Sequence, residues 1–197
     1  MNDANIIRQR LHDSIQVKQH MIGDPLLMER IARLADCISQ ALSSGRKLVL
    51  CGNGGSASDA LHFAGEIIGR FQMERKPWPA VVLNADVATM TAIANDYGYD
   101  RVFERQTEGV VRAGDVFIGI STSGNSENVR LAILKAKELG ATTACLSGKG
   151  GGAIASIVDY PVVVPSQNTA RIQECHITVI HILCELTELA LAGKSDA

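Results

Sequence analysis

Hydroxyl groups and glycines are concentrated in two short stretches of this chain, Cys51-Gly-Asn-Gly-Gly-Ser56 and Ser121-Thr-Ser-Gly-Asn-Ser126. Each follows an apolar run, Lys47 to Leu50 and Val116 to Ile120, and each precedes a helix-forming stretch. Glycine lets a ligand approach the backbone closely, and Ser and Thr add donors beside the free N–H groups of a helix N-terminus, which together make an anion site. Two such loops at the same end of parallel strands form a crevice with a polar floor, suited to a phosphorylated small molecule. Ser56 and Ser126 also read as helix N-caps, and Gly54, Gly55 and Gly124 as turn glycines. Capping alone does not account for hydroxyls at Ser121, Thr122, Ser123 and Ser126 together.

Acid–base chemistry is suggested by His62 and Glu66, four residues apart in the helical stretch after the first loop and so on one face. A second polar set lies in Arg171-Ile-Gln-Glu-Cys-His-Ile-Thr-Val-Ile-His181, where Gln173, Glu174, His176 and His181 interrupt an apolar background. Burial of such groups without partners costs about 1–3 kcal/mol each, so they are expected to bind something. His12 and His20 read as ordinary helix residues. A dinucleotide site is the main alternative for the first loop, because Gly52-Asn-Gly54-Gly-Ser-Ala57 fits a loose GxGxxG/A pattern. Asp86 stands 29 residues beyond Ala57, poorly placed for a ribose-binding acid about 20 residues on, and the second loop has no part in such a site. Neither loop carries the Gly-Lys-Ser/Thr ending of a P-loop.

The elements that position these groups follow from alternating periods. Apolar residues recur at helical spacing from about 4 to 20 (Ile7, Leu11, Ile15) and from about 25 to 43 (Leu27, Ile31, Leu34, Ile38, Leu42), with Gly45 closing the second helix. Short apolar runs follow at Leu48 to Leu50, Ala80 to Leu83, Val116 to Ile120, Thr143 to Leu146 and Val162 to Val164, separated mostly by helical stretches. This order predicts an α/β fold, a three-layer αβα sandwich around a five-stranded, mostly parallel sheet with extra N-terminal helices. A last helix from about Ala170 to Ala192 is apolar on more than one side. It and the N-terminal helices are therefore expected to pack against copies of themselves, and Asp in place of Ile180 or Leu183 is expected to dissociate or unfold the protein. Met73 to Pro79 reads as a surface turn.

Length and composition set the outer bounds. With 197 residues and 46% hydrophobic content, the chain suffices for one domain spanning residues 1–197. A formal charge of −2, from 19 basic and 21 acidic residues interspersed, gives no basic stripe, so no nucleic-acid partner is expected. Cys37, Cys51, Cys145, Cys175 and Cys184 are odd in number and lack CxxC spacing, which predicts reduced thiols rather than disulfides or a cysteine zinc site. The N-terminus is not signal-like and no apolar run approaches about 20 residues, so a cytoplasmic protein without a membrane span is expected.

The strings CGNGGSASDALHFAGE, TAIANDYGYD, GDVFIGISTSGNSENV, LSGKGGG and PSQNTARIQECHITVIHILCE closely resemble, in order and over nearly the whole chain, the phosphoheptose isomerase branch of the sugar isomerase (SIS) domain family. The Ser/Thr loop alone marks a sugar-phosphate binder; HxxxE after the first loop together with RIQExHxxxxH marks this branch. The resemblance implies a flavodoxin-like sheet, a homotetramer with active sites at subunit interfaces, and conversion of D-sedoheptulose 7-phosphate to D-glycero-D-manno-heptose 7-phosphate. That reaction feeds bacterial ADP-heptose and surface polysaccharide synthesis. The resemblance also places sugar contacts on Asn53, Gly54, Gly55, Asn95 and Asp96 and phosphate contacts on Ser121, Thr122, Ser123 and Ser126, with Gln173 and Glu66 completing the substrate set. It makes Glu66 the base and His181 its acid–base partner, and matches a zinc set to His62, Glu66, Gln173 and His181. Gln173 and His181 are eight residues apart, about 12 Å along a helix, so one ion reaches both only if they lean together or come from different subunits. Some relatives carry an acid where this chain has Ala170, and no role is assigned there. A paralogue in the same family binds the replication initiator DnaA without isomerase activity; the resemblance implies that it lacks the groups this chain keeps at Glu66 and His181.

Overall fold

The structure, a computed structural model, describes residues 2–192. Helices α1 (Asp3–Ile22) and α2 (Pro25–Ser43) precede five strands: β1 (Leu48–Gly52), β2 (Ala80–Val82), β3 (Val116–Ser121), β4 (Thr142–Ser147) and β5 (Tyr160–Val163). Between the strands lie α3 (Gly55–Ile68), α4 (Val87–Tyr97), α5 (Val102–Val110) and α6 (Glu127–Glu138), and α7 (Thr169–Leu191) follows β5. The sheet runs in the order β2-β1-β3-β4-β5 with every pairing parallel, so the αβα sandwich expected from the sequence is the one observed.

Alternation along the central strands assigns the two faces. Leu48, Leu50, Val116, Ile118, Ile120, Ala144 and Leu146 join α2, α3 and α7 in one core, whereas Val49, Cys51, Phe117 and Cys145 join α5 and α6 in the other. The second helix begins where Asp24 accepts from the amides of Leu26 and Leu27 and Pro25 opens the first turn. It gives way to Gly45 at φ +72°, as the sequence indicates.

Two expectations change. Ile180 and Leu183 are fully buried within the chain, because α2 and α3 flank α7 and absorb most of its apolar girth. An Asp at either position therefore reports on folding rather than assembly. The segment 73–79 is also more than a surface turn. Glu188 of α7 accepts hydrogen bonds from the amides of Phe71, Gln72 and Met73 at 2.8, 2.8 and 2.9 Å and from Arg75 Nε at 2.9 Å. Arg75 in turn donates to the carbonyls of Glu66 at 2.7 Å and Ile67 at 2.9 Å, capping the C-terminal turn of α3.

His176, fully buried on α7, donates from Nε2 to the Ser147 carbonyl at 3.2 Å, while its Nδ1 has no partner among the described residues. It is a core histidine that holds the end of β4, not a ligand-binding one. Burial pulls the imidazole from 6.5 down to about 4, against the opposing bond to Ser147. The unfolded chain takes up a proton below 6.5 and the folded chain only near 4, so stability present above that window falls as pH drops through it, by about 3 kcal/mol. His176→Gln should flatten the dependence between pH 6.5 and 4 by about that amount; chemical denaturation across this range measures it, and an unchanged slope would rule the mechanism out.

Candidate active site

β1 and β3 are adjacent, yet the chain leaves them in opposite directions, toward β2 from one and toward β4 from the other. Their C-terminal ends therefore open a crevice, where a parallel α/β sheet binds ligands. Both Gly- and hydroxyl-rich loops stand there. Helices α1, α2, α4 and α7 begin with side-chain caps from Asn2, Asp24, Asp86 and Asn168, while α3 and α6, which follow the two loops, have none. Ser126 occupies the N-cap position of α6, but its Oγ lies 2.8 Å from Ser121 Oγ, and Ser56 is buried inside the first turn of α3. The capping role suggested for these serines is thus not made; the Ser56 and Ala57 amides bond the Asn53 and Gly54 carbonyls and the Val129 amide bonds Asn128 Oδ1, so the amides of Gly55, Glu127 and Asn128 are those left for an anion. Glu127, an acid in that turn, is paired with Arg130 at 2.6 and 2.7 Å.

Close backbone approach shapes both loops. A Cβ on Gly124, already at φ +67°, would lie 2.0 Å from the Gly151 carbonyl oxygen, so the second loop packs directly on the Lys149–Gly151 turn. A Cβ on Gly55 would lie 2.2 Å from Gln173 Nε2. Gln173 thus rests on the start of α3, beside Asn53 and Gly54.

Farther along α3, His62, Glu66 and His181 form a cluster whose ligand atoms all lie within 4.8 Å of one another. His62 Nε2 is 3.1 Å from Glu66 Oε1 and 3.3 Å from His181 Nε2, and Phe71 packs on the His181 ring at 5.6 Å between centroids. α3 and α7 run side by side in the same sense: Gln173 meets Gly55, His181 meets His62, and Glu188 meets the segment after α3. The cluster consequently stands about 10–16 Å along α3 from Gly55, with side chains leaning back toward the loop end where Gln173 rests. Beside His62, burial pushes the Asp59 carboxyl up to about 6 against the attraction of the imidazole.

Asn95 and Asp96 lie exposed in the last turn of α4, where Asn95 Nδ2 donates to Asp96 Oδ1 at 2.9 Å. Their link to the crevice is Tyr99, whose hydroxyl donates to Asn53 Oδ1 at 3.0 Å. Asn53 is also paired with buried Asn128 of α6. Sequence reasoning passed over Tyr99 and Asn128. The only signal for either was a place within the DYGYD and SGNSEN strings.

The fold and its paired glycine- and hydroxyl-rich loops define a parallel α/β domain with a ligand crevice, and the chain belongs to the SIS domain family, whose model matches residues 16–148. Curated relatives place it in one branch of that family, the phosphoheptose isomerases. The protein of that name from Geobacter sulfurreducens is 54% identical over 84% of this chain and 87% of its own, and that from Clostridium acetobutylicum 45% identical over 96% and 97%. Among solved structures, a phosphoheptose isomerase from Neisseria gonorrhoeae matches with a TM-score of 0.89 at 40% identity, over 95% of this chain and 99% of that one. Another from Francisella tularensis matches at 0.90 and 36%, over 95% and 98%.

Because the far end of a glutamine side chain moves cheaply, Gly55→Ala should displace Gln173 without unfolding α3. The expected result is a melting temperature within a few degrees of the unmutated chain and a loss of at least about tenfold in kcat/KM, as the amide beside the first loop is moved by an ångström or more. Retained kcat/KM would remove Gln173 from the site.

Proposed function

We propose that this chain is an aldose–ketose isomerase that converts D-sedoheptulose 7-phosphate to D-glycero-D-manno-heptose 7-phosphate through an enediol, in the cytoplasmic supply of ADP-heptose for bacterial surface polysaccharide. The observation that carries it is the separation of two chemistries along one helix. Uncapped, hydroxyl-rich helix starts suit a phosphate, and a carboxylate–imidazole cluster stands well along α3. A seven-carbon sugar with its phosphate at one end and its reacting carbons at the other matches that layout. Relatives named phosphoheptose isomerase over nearly the whole chain support it.

In this reading Ser121, Thr122, Ser123 and Ser126 hold the phosphate with the α6 amides, and Asn53, Gly54, Gly55, Asn95, Asp96 and Gln173 orient the sugar. Glu66 removes a proton from C1 of the ketose and returns it to C2. His181 donates a proton to the C2 oxygen and accepts the one leaving the C1 hydroxyl, so charge never builds fully on either oxygen. His62 Nε2 lies 3.1 Å from Glu66 Oε1 and 3.3 Å from His181 Nε2; with a proton there it donates to Glu66, and without one it accepts from the His181 N–H.

The same three residues fit a zinc ion. Ligands about 2.0–2.1 Å from a tetrahedral zinc stand about 3.3 Å apart, close to the two separations His62 makes. Bound there, zinc supplies Lewis-acid polarisation of the carbonyl and hydroxyl oxygens. Gln173, resting on Gly55, completes such a set by leaning along α7 or from another copy of the chain.

We also propose a homotetramer whose N-terminal helices, about residues 4–43, contribute the contact. Ile7, Leu11 and Ile15 form an exposed row on α1, and an apolar groove of about 410 Å³ lies between α1, α2 and α7, lined by Met21, Ile22, Met28, Ile31, Val179 and Ile182. Unpartnered apolar rows of this kind mark interaction surfaces.

Glu66→Gln, nearly isosteric, should preserve folding and lower turnover of sedoheptulose 7-phosphate by about 10²-fold or more. Chelation should lower activity of the unmutated protein and zinc restore it. An unmutated chain that folds, binds metal and does not turn over the sugar would favour the DnaA-binding alternative. Leu11→Asp should reduce the assembly to smaller species with the monomer fold intact, read by light scattering and circular dichroism; an unmutated monomer at micromolar concentration would remove the tetramer.

A further inference from the structure

The two loops are joined by a reciprocal amide pair. Asn53 Nδ2 donates to Asn128 Oδ1 at 2.9 Å, and Asn128 Nδ2 donates to Asn53 Oδ1 at 3.0 Å, across 75 residues of sequence. Two further contacts polarise the pair. The Val129 amide donates to Asn128 Oδ1 at 2.9 Å, and the Tyr99 hydroxyl donates to Asn53 Oδ1 at 3.0 Å.

A backbone N–H can only donate, so Val129 fixes the Asn128 oxygen toward itself and the Asn128 nitrogen toward Asn53. Asn53 must then present its oxygen to that nitrogen, and with it an acceptor to Tyr99. Each amide oxygen now accepts two hydrogen bonds and is saturated. What remains to face a ligand is one N–H of Asn53 and the lone pairs of the Tyr99 oxygen, whose own proton is already given inward.

We propose that Tyr99 is a specificity-determining residue that accepts a hydrogen bond from a hydroxyl of the sugar, and that Asn128 is the positioning residue that sets its polarity through Asn53. The proposal rests on the sugar-phosphate isomerase reading above. It explains why Asn128, only 3% exposed, turns both ends of its amide to the opposite loop while its oxygen also holds the Val129 amide. It also gives Tyr99 a role: a phenol 55% exposed has no need of the Asn53 acceptor for the fold. The relay further ties three segments, β1–α3, β3–α6 and the turn after α4, so that Asn95 and Asp96 approach the crevice together with Asn53.

The test is a double-mutant cycle on sedoheptulose 7-phosphate. Tyr99→Phe should leave the melting temperature unchanged, raise KM about tenfold, the worth of one neutral hydrogen bond, and change kcat less than twofold. Asn128→Ala should raise KM at least as much while leaving competitive inhibition by inorganic phosphate within about twofold, since the serine set is untouched. The double variant should be no worse than Asn128→Ala alone, because the side chains communicate only through Asn53. Additive losses, or a Tyr99→Phe enzyme with unaltered KM, overturn the proposal. Turnover by the unmutated chain is the separate control for the isomerase reading. A readout that needs no substrate covers the case in which that control fails: the side-chain amide resonances of Asn53 and Asn128 should both move in Tyr99→Phe, and resonances indifferent to that change overturn the relay.

Discussion

Two central strands that are neighbours, but whose connections depart in opposite directions, impose the constraint on which the rest of this molecule depends. β1 and β3 pair in register from Leu48↔Val116 to Gly52↔Ile120, so the loops that follow them emerge side by side. Each loop must turn straight into a helix, and both helices point their N-termini into one crevice. The chain caps α1, α2, α4 and α7 with Asn or Asp, whereas the helices after these loops, like α5 after Arg101, carry no side-chain cap. Donors without internal partners are a stability cost accepted at a place where an anion can meet them.

A second fixed point lies at the other end of α3. Arg75 and Glu188 are almost completely buried, their side chains 5% and 2% exposed, and an ion pair so placed is costly to desolvate unless its remaining groups are bonded. Here they are. Three backbone amides and the guanidinium outweigh burial and hold the Glu188 carboxyl below its usual range. The guanidinium caps the carbonyls of Glu66 and Ile67 and lies 3.7 Å from the Trp78 ring centroid. The clamp therefore fixes the turn that bears Glu66 against the helix that bears His181, and the separation of those groups follows from a contact that touches neither side chain.

What could be read from the sequence divides along the same line. Strands and loops were legible because their signals are local: apolar runs a few residues long, followed by glycine and hydroxyl residues. The pairing of His62 with Glu66 followed from helical spacing alone. The role of the 73–79 segment was not legible, since its prolines describe a turn while its anchor, Glu188, stands 113 to 117 residues away. Ser126 carried a capping signature that the structure does not use, because Ser121 offered its hydroxyl a nearer partner. The apolar girth of α7 was visible, but what covers it was not: sheet, α2 and α3 take most of it, and only an edge at Ile182, Leu186 and Leu189 stays exposed.

That edge meets α1 at a seam that also carries the site. Arg171 donates to the Arg10 carbonyl at 3.1 Å and pairs with Glu174, tying α1 to the first turns of α7 on either side of Gln173. Arg171 Nε and Glu174 Oε2 are buried there without hydrogen-bond partners among the described residues, which costs about 1–3 kcal/mol per group while it persists. The exposed row lies on the helix that this contact ties down, and covering the row with another copy would bury α1 more firmly against α7. Assembly through α1 would then bear on α7 directly, and through it on Gln173, which rests on Gly55, and His181, which meets His62.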